Sequence, residues 1–215
     1  MMFTKKNKIN GDVLKYFIVI NWNDREEYTT LFKSFIKAFN KFLEKNSIET
    51  IYKFELNYSS KKYSNDSFCT KNEIVYANGV NKNDTVSVLY SNKALNQIKK
   101  ENEKELIDII LHFKEGITEE IMLEITELVN NIFPVTYGYG FELKKNQEIT
   151  SESILKKTLF GVSTQKSNYK INVSIENGNI PKMYRYNFLN KNQVENNNII
   201  DYKPISNNLV FYRKD

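Results

Sequence analysis

The side chains that carry most enzyme chemistry are almost missing from this chain, which has one histidine, His112, and one cysteine, Cys69. A single cysteine cannot close an internal disulfide, and that fits a reducing compartment, so cytoplasmic residence is expected. One imidazole and one thiol cannot supply the usual nitrogen and sulfur ligand set of a zinc site, so no metal and no cofactor are expected. No Gly-rich phosphate loop, paired-cysteine cluster or nucleophile elbow is present. No catalytic residue is therefore assigned, and the chain is not expected to be an enzyme. No run of 18 apolar residues occurs, so no spanning helix is expected. Met1 to Asp12 carries lysines without an apolar stretch ending in a cleavage site, so no signal peptide is expected. Only 3 prolines and 7 glycines punctuate the chain, which favours long regular elements.

What is present is enough for a core. The 215 residues are 40% hydrophobic and 13% aromatic, which argues against disorder over the whole chain. The length suits a single domain, 1–215, with halves at 1–92 and 93–215 as its natural division. The net charge of +5 comes from 31 basic and 26 acidic residues. That excess is modest for a nucleic-acid binder, and many lysines sit beside asparagine as solvated surface would have them.

Val13 to Ile20 is β-branched and aromatic and predicts a buried strand. Asp24 precedes Glu27 by three residues, a capping-box-like helix start that accounts for the acidic cluster there. Tyr28, Leu31, Phe32, Phe35, Ile36, Phe39 and Leu43 then recur at spacings of three and four and share one face. Lys33, Lys37, Lys41 and Lys45 form a different stripe, and Asn46 and Ser47 end the helix. Further strands are predicted at 51–58, 73–80 ending at Asn78-Gly79, and 85–90 after the Asn83-Asp84 turn. Residues 59–72 read as a loop, and Ala94 to Glu105 as helical or loose. Leu106 to Phe113 is ambiguous: its residue types favour a strand, with His112 packed or hydrogen-bonded inside it, while the preceding Lys/Glu run allows a helix to extend into it. Thr118 caps a second helix, Glu119 and Glu120 complement its dipole, and Ile121, Ile125, Leu128, Val129 and Ile132 form its buried face up to Pro134. Strands follow at 135–143, 169–175 before the Asn177-Gly178 turn, and 209–212. Gly138 and Gly140 predict a bulge or a close backbone contact. Two helices against a largely antiparallel sheet make a two-layer α+β sandwich, with strand–helix–strand passing twice, at 13–58 and 106–143.

Two segments stand out for binding. Tyr137-Gly138-Tyr139-Gly140 and Tyr184-Arg185-Tyr186-Asn187-Phe188-Leu189 place tyrosine, arginine and asparagine together. Tyrosine and arginine are enriched at interaction hot spots because they join a large contact area to a polar end. Tyr137, Tyr139, Tyr184, Arg185, Tyr186 and Asn187 are the candidate partner-binding residues, while alternate tyrosines facing a core explain the same pattern more simply.

In these two segments and in its overall make-up the chain resembles the immunity proteins of polymorphic and type VI secreted bacterial toxins. The resemblance implies a small cytoplasmic α+β protein that neutralises a cognate toxin by direct binding, without turnover. The alternative expectation is a nucleic-acid-binding or phage-defence protein, suggested by the lysine stripe and scattered tyrosines.

Overall fold

The structure is a computed structural model and describes residues 9–21, 25–94, 104–144, 147, 149, 154–158, 161–165 and 179–214. Its strands are β1 (Ile9–Asn21), β2 (Lys53–Leu56), β3 (Lys62–Ser64), β4 (Tyr76–Val80), β5 (Val86–Ala94), β6 (Lys104–Phe113), β7 (Tyr137–Lys144), β8 (Ile154–Thr158), β9 (Gly161–Gln165), β10 (Tyr186–Asn190), β11 (Lys203–Pro204) and β12 (Leu209–Arg213). The helices are α1 (Arg25–Lys45), α2 (Asn65–Cys69), α3 (Glu119–Ile132) and α4 (Lys191–Asn196). Ten strands form one sheet in the order β11-β12-β10-β7-β1-β6-β5-β4-β2-β3, and every described pairing in it is antiparallel. Strands β8 and β9 pair separately. The α+β architecture with two main helices on a largely antiparallel sheet is thus as the sequence pattern predicts.

The helices cover one face of the sheet because each has a single apolar stripe. Phe32, Phe35, Ile36, Phe39, Phe42 and Leu43 of α1 are buried, as are Met122, Ile125 and Val129 of α3. Ile121, Leu128 and Ile132 are only partly buried, and Met122 and Thr126 take the innermost positions instead. Phe32 stacks on Tyr90 of β5 with centroids 4.2 Å apart, and Phe39 meets Phe113 of β6 edge-on. Thr126 donates to the Met122 carbonyl and takes the Tyr16 hydroxyl hydrogen bond at 2.8 Å, so the polar groups of this interface are satisfied. Burial holds the Tyr16 phenol well above its ordinary range, so it remains a neutral donor. Thr118 caps α3 as expected, accepting from the Ile121 N–H. The Asp24 cap lies outside the described residues.

Several local expectations are corrected. The segment 59–72 contains β3 and α2, which pack Tyr63 and Phe68 against the core. Asn78-Gly79 is inside β4, paired with Leu89 and Val88, and the strand runs on to Val80; a Cβ at Gly79 would stand 2.5 Å from the Phe54 ring. The turn expected at Asn83-Asp84 is present, at 81–84, where the Asn81 side chain accepts from the Thr85 and Val86 N–H groups. Ala94 and Lys104–Glu105 are strand residues, and 95–103 lie outside the described residues. Gly138 and Gly140 make close contacts without a bulge; their added Cβ atoms would meet Tyr16, Phe188 and Leu14 at 3.1 Å or less. The strand expected at 169–175 and the turn at 177–178 also lie outside the described residues. The two strand–helix–strand passages return to the sheet differently: β2 lies four places from β1, and β7 two places from β6.

Candidate functional site

The second face of the sheet is apolar over β7, β1 and β10, and a strap formed by residues 180–184 runs across it. Ile180, Met183 and Tyr184 pack there against Phe17, Tyr137, Tyr139 and Phe141. The Tyr137 hydroxyl donates to the Lys182 carbonyl at 2.6 Å. Tyr184 stacks on Tyr139 with centroids 3.8 Å apart and planes 3° from parallel. Asn187 closes the end of the strap, accepting from the Tyr184 N–H at 2.8 Å and donating to the Tyr184 carbonyl at 2.7 Å. Its amide also reaches the Tyr212 carbonyl.

These contacts divide the six candidate residues. Tyr137, Tyr139 and Asn187 are buried, so in the folded chain they position the strap and offer nothing to a partner. The sheet register turns both tyrosines under the strap. Tyr184 and Tyr186 are half-buried, and Arg185 stands exposed at the bend.

Arg185 leads into a polar surface at one end of the sheet. Its guanidinium donates to Glu142 at 2.7 Å and lies 5.2 Å from the Tyr186 ring centroid. Tyr186 is opposite Arg213 in the β10–β12 pairing. Arg213 meets Glu119, in the first turn of α3, at 3.0 Å, and Lys203 of β11 reaches the same carboxylate at 3.6 Å. Beside Lys203 the chain presents Tyr202 and, at 92% exposure, Ile200. The presentation follows from the end of α4. Asn198 has φ 51°, and the Asn198 and Ile199 N–H groups bond to the Glu195 and Val194 carbonyls, a Schellman ending. Ile199 packs with Val194, which leaves Ile200 pointing outward.

Between this surface and the start of α3 lies a small open cleft lined by Leu14, Ile117, Met122, Phe141 and Tyr186 with Asp12 and Glu119. It has room for about one water molecule, far below the usual small-molecule range. Asp12 accepts from the Ile117 N–H at 2.9 Å. Burial raises the Asp12 pKa; the Ile117 N–H opposes this, Glu142 adds to it, and Arg185 and His112 oppose it. A raised carboxylate favours the folded state most below its unfolded pKa, and that contribution is lost as pH rises through the folded value. Asp12→Asn keeps an acceptor for Ile117 and removes the charge. It is expected to melt above the parent at pH 7, with the gap closing towards pH 4 in paired thermal melts; a lower melting point at pH 7 would contradict this.

Asp12, Glu119, Glu142, Lys203, Arg213, Tyr202 and Ile200 were not legible as site residues. The one local signal was the run Asn196-Asn197-Asn198 before two isoleucines, a helix-end pattern that throws an apolar side chain outward. On the second face, Lys15, Asp108 and His112 are buried on β1 and β6, so His112 is a packed sheet histidine, opposite Val13 and Ser87. Cys69 is an exposed thiol at the end of α2. Among the described residues no group of three or more His, Cys, Asp and Glu side chains is placed to hold a metal ion. Among them, too, no helix is long and apolar enough to cross a membrane.

No protein-family model and no curated protein matches the chain. Among solved structures it is similar to the Pseudomonas aeruginosa T6SS protein PA0821, with a TM-score of 0.54 and 8% identity over 93% of this chain and 68% of that one. At that identity the likeness is one of fold: nearly the whole chain shares its architecture with a type VI secretion system protein.

Proposed function

We propose that this chain is a protein-binding module that neutralises a bacterial toxin by direct occlusion, as an immunity protein does. The reading is carried by the likeness of nearly the whole chain to a type VI secretion system protein. The surface at Arg185 supports it. It presents two exposed arginines, half-buried Tyr186 and the protruding Ile200 and Tyr202. Such a patch has the composition of a hot spot, with its ion pairs already oriented by the sheet end and α3. The proposed module binds without turnover, its partner a toxin domain in the secretion context.

The test is affinity purification of the tagged full chain from the cytosol of its own cells, with and without nuclease, read by mass spectrometry. The expected result is one stoichiometric toxin-domain protein that survives nuclease and high salt. Absence of any stoichiometric protein would count against the reading.

A further inference from the structure

The opposite edge of the sheet carries a second surface, and we infer that it binds single-stranded nucleic acid. Strand β2, which carries it, lies six places from β10 beside Arg185, roughly 29 Å at about 4.8 Å per strand, so it stands independently of the proposed toxin site.

Its first element is a tyrosine in a position that favours glycine. Leu56 to Ser59 form a turn closed by the Ser59 N–H on the Leu56 carbonyl, with Asn57 at φ 49° and Tyr58 at φ 60°. Both central residues are left-handed, a conformation disfavoured for a bulky L-residue. The Asn57 side chain locks the turn, accepting from the Val75 N–H and donating to the Glu73 carbonyl. Tyr58 is nevertheless 72% exposed, stacked on Tyr76 with centroids 4.4 Å apart. A strained turn thus holds a flat ring out in solvent, where an unpaired base can stack on it.

The second element is cationic. Lys61 and Lys71 lie 5.4 and 4.4 Å from the Tyr63 ring centroid. Lys33 of α1 donates to the Lys71 carbonyl, which joins this cluster to the exposed Lys37 and Lys41 further along the helix. Lys62 at this edge pairs with Glu55, at 4.0 Å and exposed. Lys33, Lys37, Lys41, Lys61 and Lys71 therefore form a basic track beside an aromatic platform, complementary to a chain of phosphates carrying free bases. An acidic protein surface would use the lysines and leave the strained Tyr58 ring without a purpose.

The test is fluorescence anisotropy of the full chain with labelled dT15 and with a duplex of equal length. With about five phosphates neutralised at ~0.7 counterions each, affinity for dT15 is expected to fall about 100-fold between roughly 50 and 200 mM salt. Lys37→Glu with Lys41→Glu should lower both affinity and salt slope. Tyr58→Ala should weaken dT15 by about 5- to 150-fold at unchanged slope, the range for one stacked base. Arg185→Glu with Arg213→Glu should leave binding unchanged. No saturable binding at low salt would overturn the inference. So would equal weakening by the arginine variant, or a Tyr58→Ala variant that binds dT15 as the parent does. Circular dichroism and melting of each variant exclude loss of fold as the cause.

Discussion

Arg185→Glu combined with Arg213→Glu is expected to cost the toxin complex about 2–5 kcal/mol, measured by calorimetry against the partner recovered by affinity purification. Both guanidinia are roughly half exposed, so their pairs with Glu142 and Glu119 contribute little to folding. The reversed charges would meet those same carboxylates and repel them, and a partner built to meet arginine would meet glutamate. Melting should change by only a few degrees, because no core atom moves. Tyr202→Ala is expected to weaken the complex without altering the salt dependence of association. A double variant that binds as tightly as the parent would place the partner elsewhere on the chain.

The largest effect on folding is expected from a single methyl group. Gly11 has φ +99°, and a Cβ there would lie 1.9 Å from the Phe113 carbonyl oxygen and 2.6 Å from the Lys114 Cα. The pairing of β1 with β7 shifts register between Ile9 and Asp12, so Gly11 sits at an irregularity where the two central strands come close. Gly11→Ala combines a left-handed backbone with a backbone collision that no rotamer relieves. It is expected to cost about 3 kcal/mol or more, which is about 6–12 °C in melting temperature for a chain of this size. Gly140→Ala is the informative contrast. Its Cβ would meet the Leu14 Cδ2 at 2.9 Å, the far end of a flexible side chain, so the loss should be smaller. Thermal melts of the two variants check the order, and equal losses would mean that the bulge relaxes freely.

Much of the fold was legible because local pattern and local structure coincide. The three- and four-residue spacing of Phe32, Phe35, Ile36 and Phe39 defines the buried stripe of α1, and no other regular structure puts those rings on one side. Thr118 and the acidic first turn mark the start of α3 for the same reason. Strand β10 was not legible, since Tyr186 to Leu189 reads locally as one more aromatic run, and only its pairing with β7 and β12 makes it a strand. The small elements β3 and α2 were missed because Tyr63 and Phe68 gain their burial from distant partners.

The sequence by itself determined the two long helices, the α+β class and the scarcity of catalytic side chains. Those depend on residue type and on spacings of about one helical turn. Only the tertiary structure decided which residues meet. Arg185 pairs with Glu142, 43 positions away, and Arg213 with Glu119, 94 positions away. The same packing buried Tyr137 and Tyr139 beneath the strap and left Arg185 outside it. Strand order and register follow from the summed burial of the whole chain, and a one-residue slip would exchange the two faces of a strand. That sum has no local trace, so the surface at Arg185 and the basic edge at Tyr58 came into view only with the fold.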